Sequence, residues 1–352
     1  MNTDEYVEDF LEERIMRKTS DPEVIEDMYK KKYSDWIIDY FRGYGVDVAP
    51  LLICCNTLYK LPVTIKIQKK TFFVEDISLF EYFYDLNYIL SNRNRMEYLV
   101  NICIKLYIEA SYLQDYIDRA YYLALTSPKI EEYRDKDYKN ENTYSFWITR
   151  TDIQEQFIFL HEANHYFLEQ LDKNTQLQEY KNFYDYFQKK PSKKLEVFRG
   201  KYKVDDLLVE CFCDCEALKY MVNRLEQFNV IGFSESISLI YRVPIYLYIL
   251  QFINDSVQEG YNIENGYSYI FYALSYRMGM LYYVFSKYLP ESYRKINEKI
   301  FNDNVRILKN IMKKVRKIIL YVNEIVDKNL SDIARISSEE QNNYLKDFLN
   351  LL

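Results

Sequence analysis

Only seven glycines and seven prolines interrupt 352 residues. Glycine ends helices and proline cannot continue one, so a chain this poor in both defaults to long helices. Residues 3–18 and 22–42 carry helical spacing; Ser20, Asp21 and Pro22 open the second and Gly43 and Gly45 close it. A short helix is expected over 47–60, after Asp47. The pattern then changes. Residues 62–76, PVTIKIQKKTFFVED, alternate and are rich in β-branched and aromatic types, which predicts a β-hairpin turning near Lys69 and Lys70. Helical spacing returns over 78–90 and 94–125. A polar loop with Pro128 covers 126–142, and TYSFWIT at 143–149 reads as one more strand. A helix follows from Asp152 to about Leu171, then a charged linker to about residue 203 and a helix over 205–224. From 234 onward we expect helices broken near Gly260, Gly266 and Pro290.

The fold class is therefore α+β and mostly α-helical. Three regions are expected: an N-terminal helical region, 1–142, that includes the hairpin; a core, 143–225; and a C-terminal helical region, 226–352, either separate or packed with that core as one domain. The second boundary is expected near 225–233, where QFNVIGFS interrupts two helices.

Charge and cysteine usage narrow the function. The net charge is −7, with no basic excess to bind nucleic acid. The basic run Lys313, Lys314, Arg316, Lys317 alternates with Ile311, Val315, Ile318 and Ile319 and reads as a solvated helix face. Of the six cysteines, Cys54 and Cys55 are adjacent and Cys211, Cys213 and Cys215 alternate, spacings that do not bridge well, and Cys103 stands apart. We expect reduced thiols in a cytoplasmic compartment, with Cys54, Cys55, Cys211, Cys213 and Cys215 as small core residues. The acidic N-terminus is no signal peptide, although signal-less export is compatible with it. Two apolar stretches, 237–253 and 267–289, contain Arg242 with Pro244, and Arg277. A central arginine is costly in lipid, so buried helices rather than membrane spans are expected.

Histidine is the scarcest reactive residue. The chain has two, and they fall in His161-Glu162-Ala163-Asn164-His165. Random placement would set two histidines four apart about 0.6% of the time, so the pair calls for a reason. On a helix, positions four apart share a face, and two imidazoles there can reach one metal ion. Glu162 is turned about 100° from His161, where a carboxylate flanks the metal instead of ligating it. A base that takes a proton from activated water belongs there.

A catalytic zinc needs a third protein ligand. Glu169 lies eight residues from His161, about 12 Å of helix rise, which is too far for one ion. The best candidate is Glu210 in DDLLVECFCDCEALKYM, where the small residues Cys213 and Ala217 let two helices approach. Asp214, one turn on, could accept a hydrogen bond from the far nitrogen of a zinc histidine. Glu196, Glu216, Asp205 and Asp206 compete for the ligand role.

HEANH followed by E-CFC-D-CEA resembles the HExxH…ExxxD pattern of the gluzincin metallopeptidases. The ImmA/IrrE-like and M48-type peptidases are the most similar in the second helix. The resemblance covers about residues 144–222. It implies a zincin-like fold, with a small sheet packed on the HExxH helix, an edge strand beside the cleft and long flanking helices. It also implies one Zn2+ per chain and hydrolysis of a peptide or protein substrate. His161, His165 and Glu210 would be ligands, Glu162 the base and Asp214 the outer acid. Two positions depart from the pattern. Asn164 stands where many members have glycine, and no later histidine exists to stabilise an oxyanion. Tyr241, Arg242, Tyr276 and Arg277, on helices after the metal site, are the candidates for that task. Two other readings stay open: a regulatory protease that cuts one partner only, and a helical interaction module without metal.

Overall fold

The structure is a computed structural model. It describes residues 38–43, 51–55, 57–60, 63–67, 70–91, 98–126, 141–170, 178, 204–222, 232–333 and 338–351. The chain is mostly helical. Among the described residues three strands, β1 (Leu51–Cys55), β2 (Val63–Ile67) and β3 (Lys70–Asp76), precede nine helices. These are α1 (Ile77–Ser91), α2 (Tyr98–Leu113), α3 (Ile117–Thr126), α4 (Glu141–Gln170), α5 (Val204–Val222), α6 (Phe233–Ser256), α7 (Ile263–Tyr288), α8 (Glu291–Ile333) and α9 (Ser338–Leu351). Residues 38–43 add a helical turn ahead of the sheet.

The expected hairpin is present. β2 and β3 pair antiparallel, with Val63 opposite Val74 and Ile67 opposite Lys70. The third strand corrects the reading of 47–60 as helical. Leu51–Cys55 pairs parallel with β3, Leu51 opposite Phe72 and Cys55 opposite Asp76, which gives the order β1-β3-β2. Five consecutive apolar residues carry no period, and the open edge of β3 decides between strand and buried helix. Asp76 then joins the sheet to α1. Fully buried, it accepts from the backbone N–H of Ser78 in the first turn of α1 at 3.2 Å, and from the N–H groups of Thr57 and Lys60, both at 3.1 Å.

A second correction concerns 143–149. This stretch is not a strand but part of α4, which runs unbroken for 30 residues. Nucleating a helix is costly and extending one is cheap, so a strongly helical segment recruits β-favouring neighbours. Arg150 secures the junction. It is buried, bonds Glu235 of α6 at 2.6 Å and the carbonyl of Phe146 at 2.9 Å, and lies over the Phe146 ring. The strand expected beside the cleft is therefore not formed by these residues.

Within the helical spacing read over 94–125, the described residues form two helices, α2 and α3. Asp115 takes φ 67° and Tyr116 N–H returns to the Ser111 carbonyl at 2.8 Å, a helix end made without glycine. Downstream, the breaks at Gly260 and Pro290 occur as expected. Gly266 breaks nothing: it sits in the first turn of α7, which Asn262 caps by accepting from Asn265 N–H at 2.9 Å. The helices expected over 3–18 and 22–42, the 126–142 loop and the linker before residue 203 fall largely outside the described residues.

One apolar cluster runs through the described residues from Tyr40 to Leu349. α4 packs on α5, α6 and α1; α5 packs on α7. Inside this layer a polar chain sets the rotation of α4. Tyr246 donates to Asn87 at 2.8 Å, Asn87 to Gln154 at 2.6 Å, and Gln154 to the Leu239 carbonyl at 3.1 Å, all fully buried. By length and composition α6 could cross a membrane, but 78% of its most apolar window is buried against the other helices.

Candidate metal centre

α4 carries both histidines, α5 supplies two acids and α7 supplies a cation. Close approach of α4 and α5 depends on small residues, as their sequences suggest: Ala163, Cys213 and Ala217 are all buried. Asn164 ties the same interface. It is buried, accepts from the Tyr40 hydroxyl at 3.0 Å and donates to the Leu160 carbonyl of its own helix at 2.8 Å. Its amide also reaches the Cys213 carbonyl of α5 at 3.5 Å. The residue that departs from the resembled pattern thus has a local job.

The rings of His161 and His165 turn toward each other, with Nε2 to Nε2 at 3.1 Å. Glu210 closes the group, Oε2 at 3.4 Å from His161 Nε2 and Oε1 at 3.5 Å from His165 Nε2. Tetrahedral ligands stand ~1.6 bond lengths apart, so bonds of about 2.05 Å set them about 3.3 Å from one another. The three separations bracket that value. Two imidazole nitrogens and a carboxylate also form the donor set of a hydrolytic zinc site. These three residues are the group that could hold a metal among the described residues.

Behind them, Asp214 is fully buried and sits 2.9 Å from His161 Nδ1, a close electrostatic approach more than a well-aligned hydrogen bond. Arg277 meets Asp214 side by side, Nε to Oδ2 at 2.6 Å and Nη2 to Oδ1 at 2.7 Å, and reaches Glu210 Oε2 through Nη1 at 3.1 Å. One guanidinium therefore braces both acids of α5.

This packing separates the protonation states. Burial opposes charge on His161, but Asp214 and Glu210 outweigh it and raise the ring to about 10. Burial and the charge of His161 lower His165 to about 4. Burial would raise Glu210 and Asp214, yet Arg277, followed by His161, holds both below the ordinary carboxylate range. Burial pushes Glu162 up to about 7, against the pull of His161. Without metal, His161 is therefore the imidazole that holds the extra proton and His165 the neutral one.

All these groups open on one cavity of about 580 Å³, whose far wall is α6 and the start of α7. Of the four oxyanion candidates only Arg277 lines it. Tyr241 is buried elsewhere, donating to Asn297 at 2.9 Å and packed on Phe285 and Phe301. Tyr276 is buried in the apolar core, and Arg242 lies beside Tyr246, outside the cavity wall. Among the other candidate ligands, Asp206 lines the cavity without joining the histidines, and Glu216 pairs with Lys219 at 2.5 Å. Glu196 and the Asp205 side chain lie outside the described residues.

Two wall residues escape a reading of the sequence: Tyr248, buried under the Arg277 guanidinium at 5.5 Å from its ring centre, and Asp255. Nothing local marks Tyr248 among 38 tyrosines. The partnership of Arg277 with Asp214 did leave a signal. A lone arginine inside the apolar run SYIFYALSYRMGMLYY needs a buried acid, and Asp214 lies among the cysteines of a similarly buried helix. Cys55, Cys103, Cys211, Cys213 and Cys215 are unbridged and buried, and burial raises the thiols of Cys211, Cys213 and Cys215.

No protein-family model matches the chain, and no characterised protein or solved structure is significantly similar to it.

Proposed function

We propose that the chain is a zinc-dependent metallopeptidase of zincin-like architecture, with His161, His165 and Glu210 holding one Zn2+. The observation that carries this reading is the set of three separations, 3.1, 3.4 and 3.5 Å, between donors of the type zinc prefers. The donors also converge on a cavity large enough for part of a peptide, as a chance histidine pair would not require.

A zinc ion held there supplies Lewis acidity and a water that ionises near neutral pH. Glu162 is the general base. A carboxylate poised at about 7 takes a proton from the attacking water and then delivers it to the leaving amine as the C–N bond breaks. Arg277 and Asp214 keep Glu210 and His161 in place, and their charges are largely spent on each other. Tyr248 is therefore the better donor to the oxygen that gains negative charge, since it lines the cavity beside Arg277. The substrate is an unstructured peptide segment, because the cavity floor is formed by helices and, among the described residues, no strand lines it.

The test is Glu162→Gln. The variant should retain one zinc per chain and lose peptide cleavage by about 10²–10⁴-fold. Full activity with bound zinc would refute the assignment of the base.

A further inference from the structure

Among the described residues five carboxylates line the cavity: Glu162, Asp206, Glu210, Asp214 and Asp255. Arg277 is the one lysine or arginine among the described lining residues, and it is committed to Asp214 and Glu210. Glu162 is the base. That leaves Asp206 and Asp255, whose side chains have no ion pair or hydrogen-bond partner among the described residues. They approach from different elements. Asp206 lies one turn before Glu210 on α5, on the same face and about 6 Å away along the helix. Asp255 lies two turns beyond Tyr248 on α6, about 10 Å along that helix.

Asp255 is the more telling of the two. It is half-buried, and burial alone raises its carboxyl to about 6. A partly desolvated acid without a counter-ion destabilises the free protein, and that cost disappears when a cation arrives. Around it the wall is apolar or neutral: Leu247, Leu250, Asn254 and Tyr269 suit the methylenes of a long side chain. An acidic peptide would meet repulsion from both aspartates.

Resting on the metallopeptidase reading above, we infer that the substrate is a cationic peptide, with a lysine or arginine within about three residues of the cut bond held by Asp255 and Asp206. The two aspartates are specificity determinants. They touch the substrate side chain and take no part in moving protons at the scissile bond.

Two pools of quenched-fluorescent octapeptides test this. They are identical except that one carries lysine or arginine where the other carries norleucine or citrulline. Zinc-loaded wild type should prefer the basic pool by about tenfold or more in kcat/KM, the value of one partly buried ion pair. In Asp206→Asn/Asp255→Asn the ratio should fall to near one while zinc content stays at one per chain. An indifferent wild type, or a ratio unchanged in the variant, overturns the inference. Binding of the same labelled peptides to Glu162→Gln, read by fluorescence anisotropy, separates this from failure of the hydrolase reading. If wild type cuts neither pool, tighter binding of the basic pool that is lost in the aspartate variants still supports the cationic site. Equal binding of both pools sinks it. Two zinc ions per chain, with the second lost in Asp206→Asn/Asp255→Asn, would also overturn it, since the aspartates would then be metal ligands.

Discussion

Arg277→Met should destabilise the metal-free protein by about 3–5 kcal/mol, the cost of removing one partner from a buried ion pair. The structure puts the expected value toward the upper end. Asp214 is fully buried and would lose two short bonds, at 2.6 and 2.7 Å, keeping only the oblique approach of His161. Each bond to a charged partner is worth about 1.5–3 kcal/mol. Asp214→Leu should cost less, about 3 kcal/mol, because Arg277 keeps Glu210 at 3.1 Å. The double variant Arg277→Met/Asp214→Leu removes both charges and fills the space with apolar atoms. It should lie within about 2 kcal/mol of wild type, giving a coupling of about 3 kcal/mol or more between the two positions. Urea unfolding with a chelator present measures all four proteins without a contribution from metal. Additivity within about 0.5 kcal/mol would show that the two charges do not depend on each other and would refute this account of the brace.

Other outcomes follow from the same geometry. Zinc must displace the proton from His161, raised to about 10, whereas His165 at about 4 is already neutral, so between about pH 7.5 and 9.5 zinc affinity should rise about tenfold per pH unit, with one proton released per ion in calorimetry across buffers. The metal-free protein should behave oppositely. His161 is raised above its ordinary 6.5, so its stabilising contribution is complete below that value and is lost as the pH climbs through about 10; chelated protein should grow less stable over this interval in urea titrations. Tyr248→Phe should lower kcat by about 10²-fold with KM and zinc content unchanged, and unaltered kcat would remove the phenol from the mechanism.

The parts of the site that could be read from the chain are those set by helix periodicity. His161 and His165 share a face because they are four apart, and Glu210 with Asp214 repeat that spacing on a second helix with small neighbours. What joins the helices depends on packing between distant segments and was legible only in part: the lone Arg277 of an apolar run announces a buried acid, but its reach to Glu210, Tyr248 beneath it and Tyr40 on Asn164 leave no mark in the sequence. The strand errors share one physical origin. TYSFWIT favours strands by composition, yet α4 extends through it once nucleated. LLICC has no period, yet the unpaired edge of β3 takes it as a strand. Local preference is weak wherever a neighbouring element offers a cheaper way to satisfy the backbone.

Zinc content of wild type, His165→Ala and Glu210→Ala, determined by elemental analysis after dialysis against limiting metal, tests the centre most directly. One ion per chain in the wild type and little in either variant is the expected result. Full occupancy in Glu210→Ala, or no bound metal in the wild type, would contradict the convergence of two imidazoles and this carboxylate on one ion.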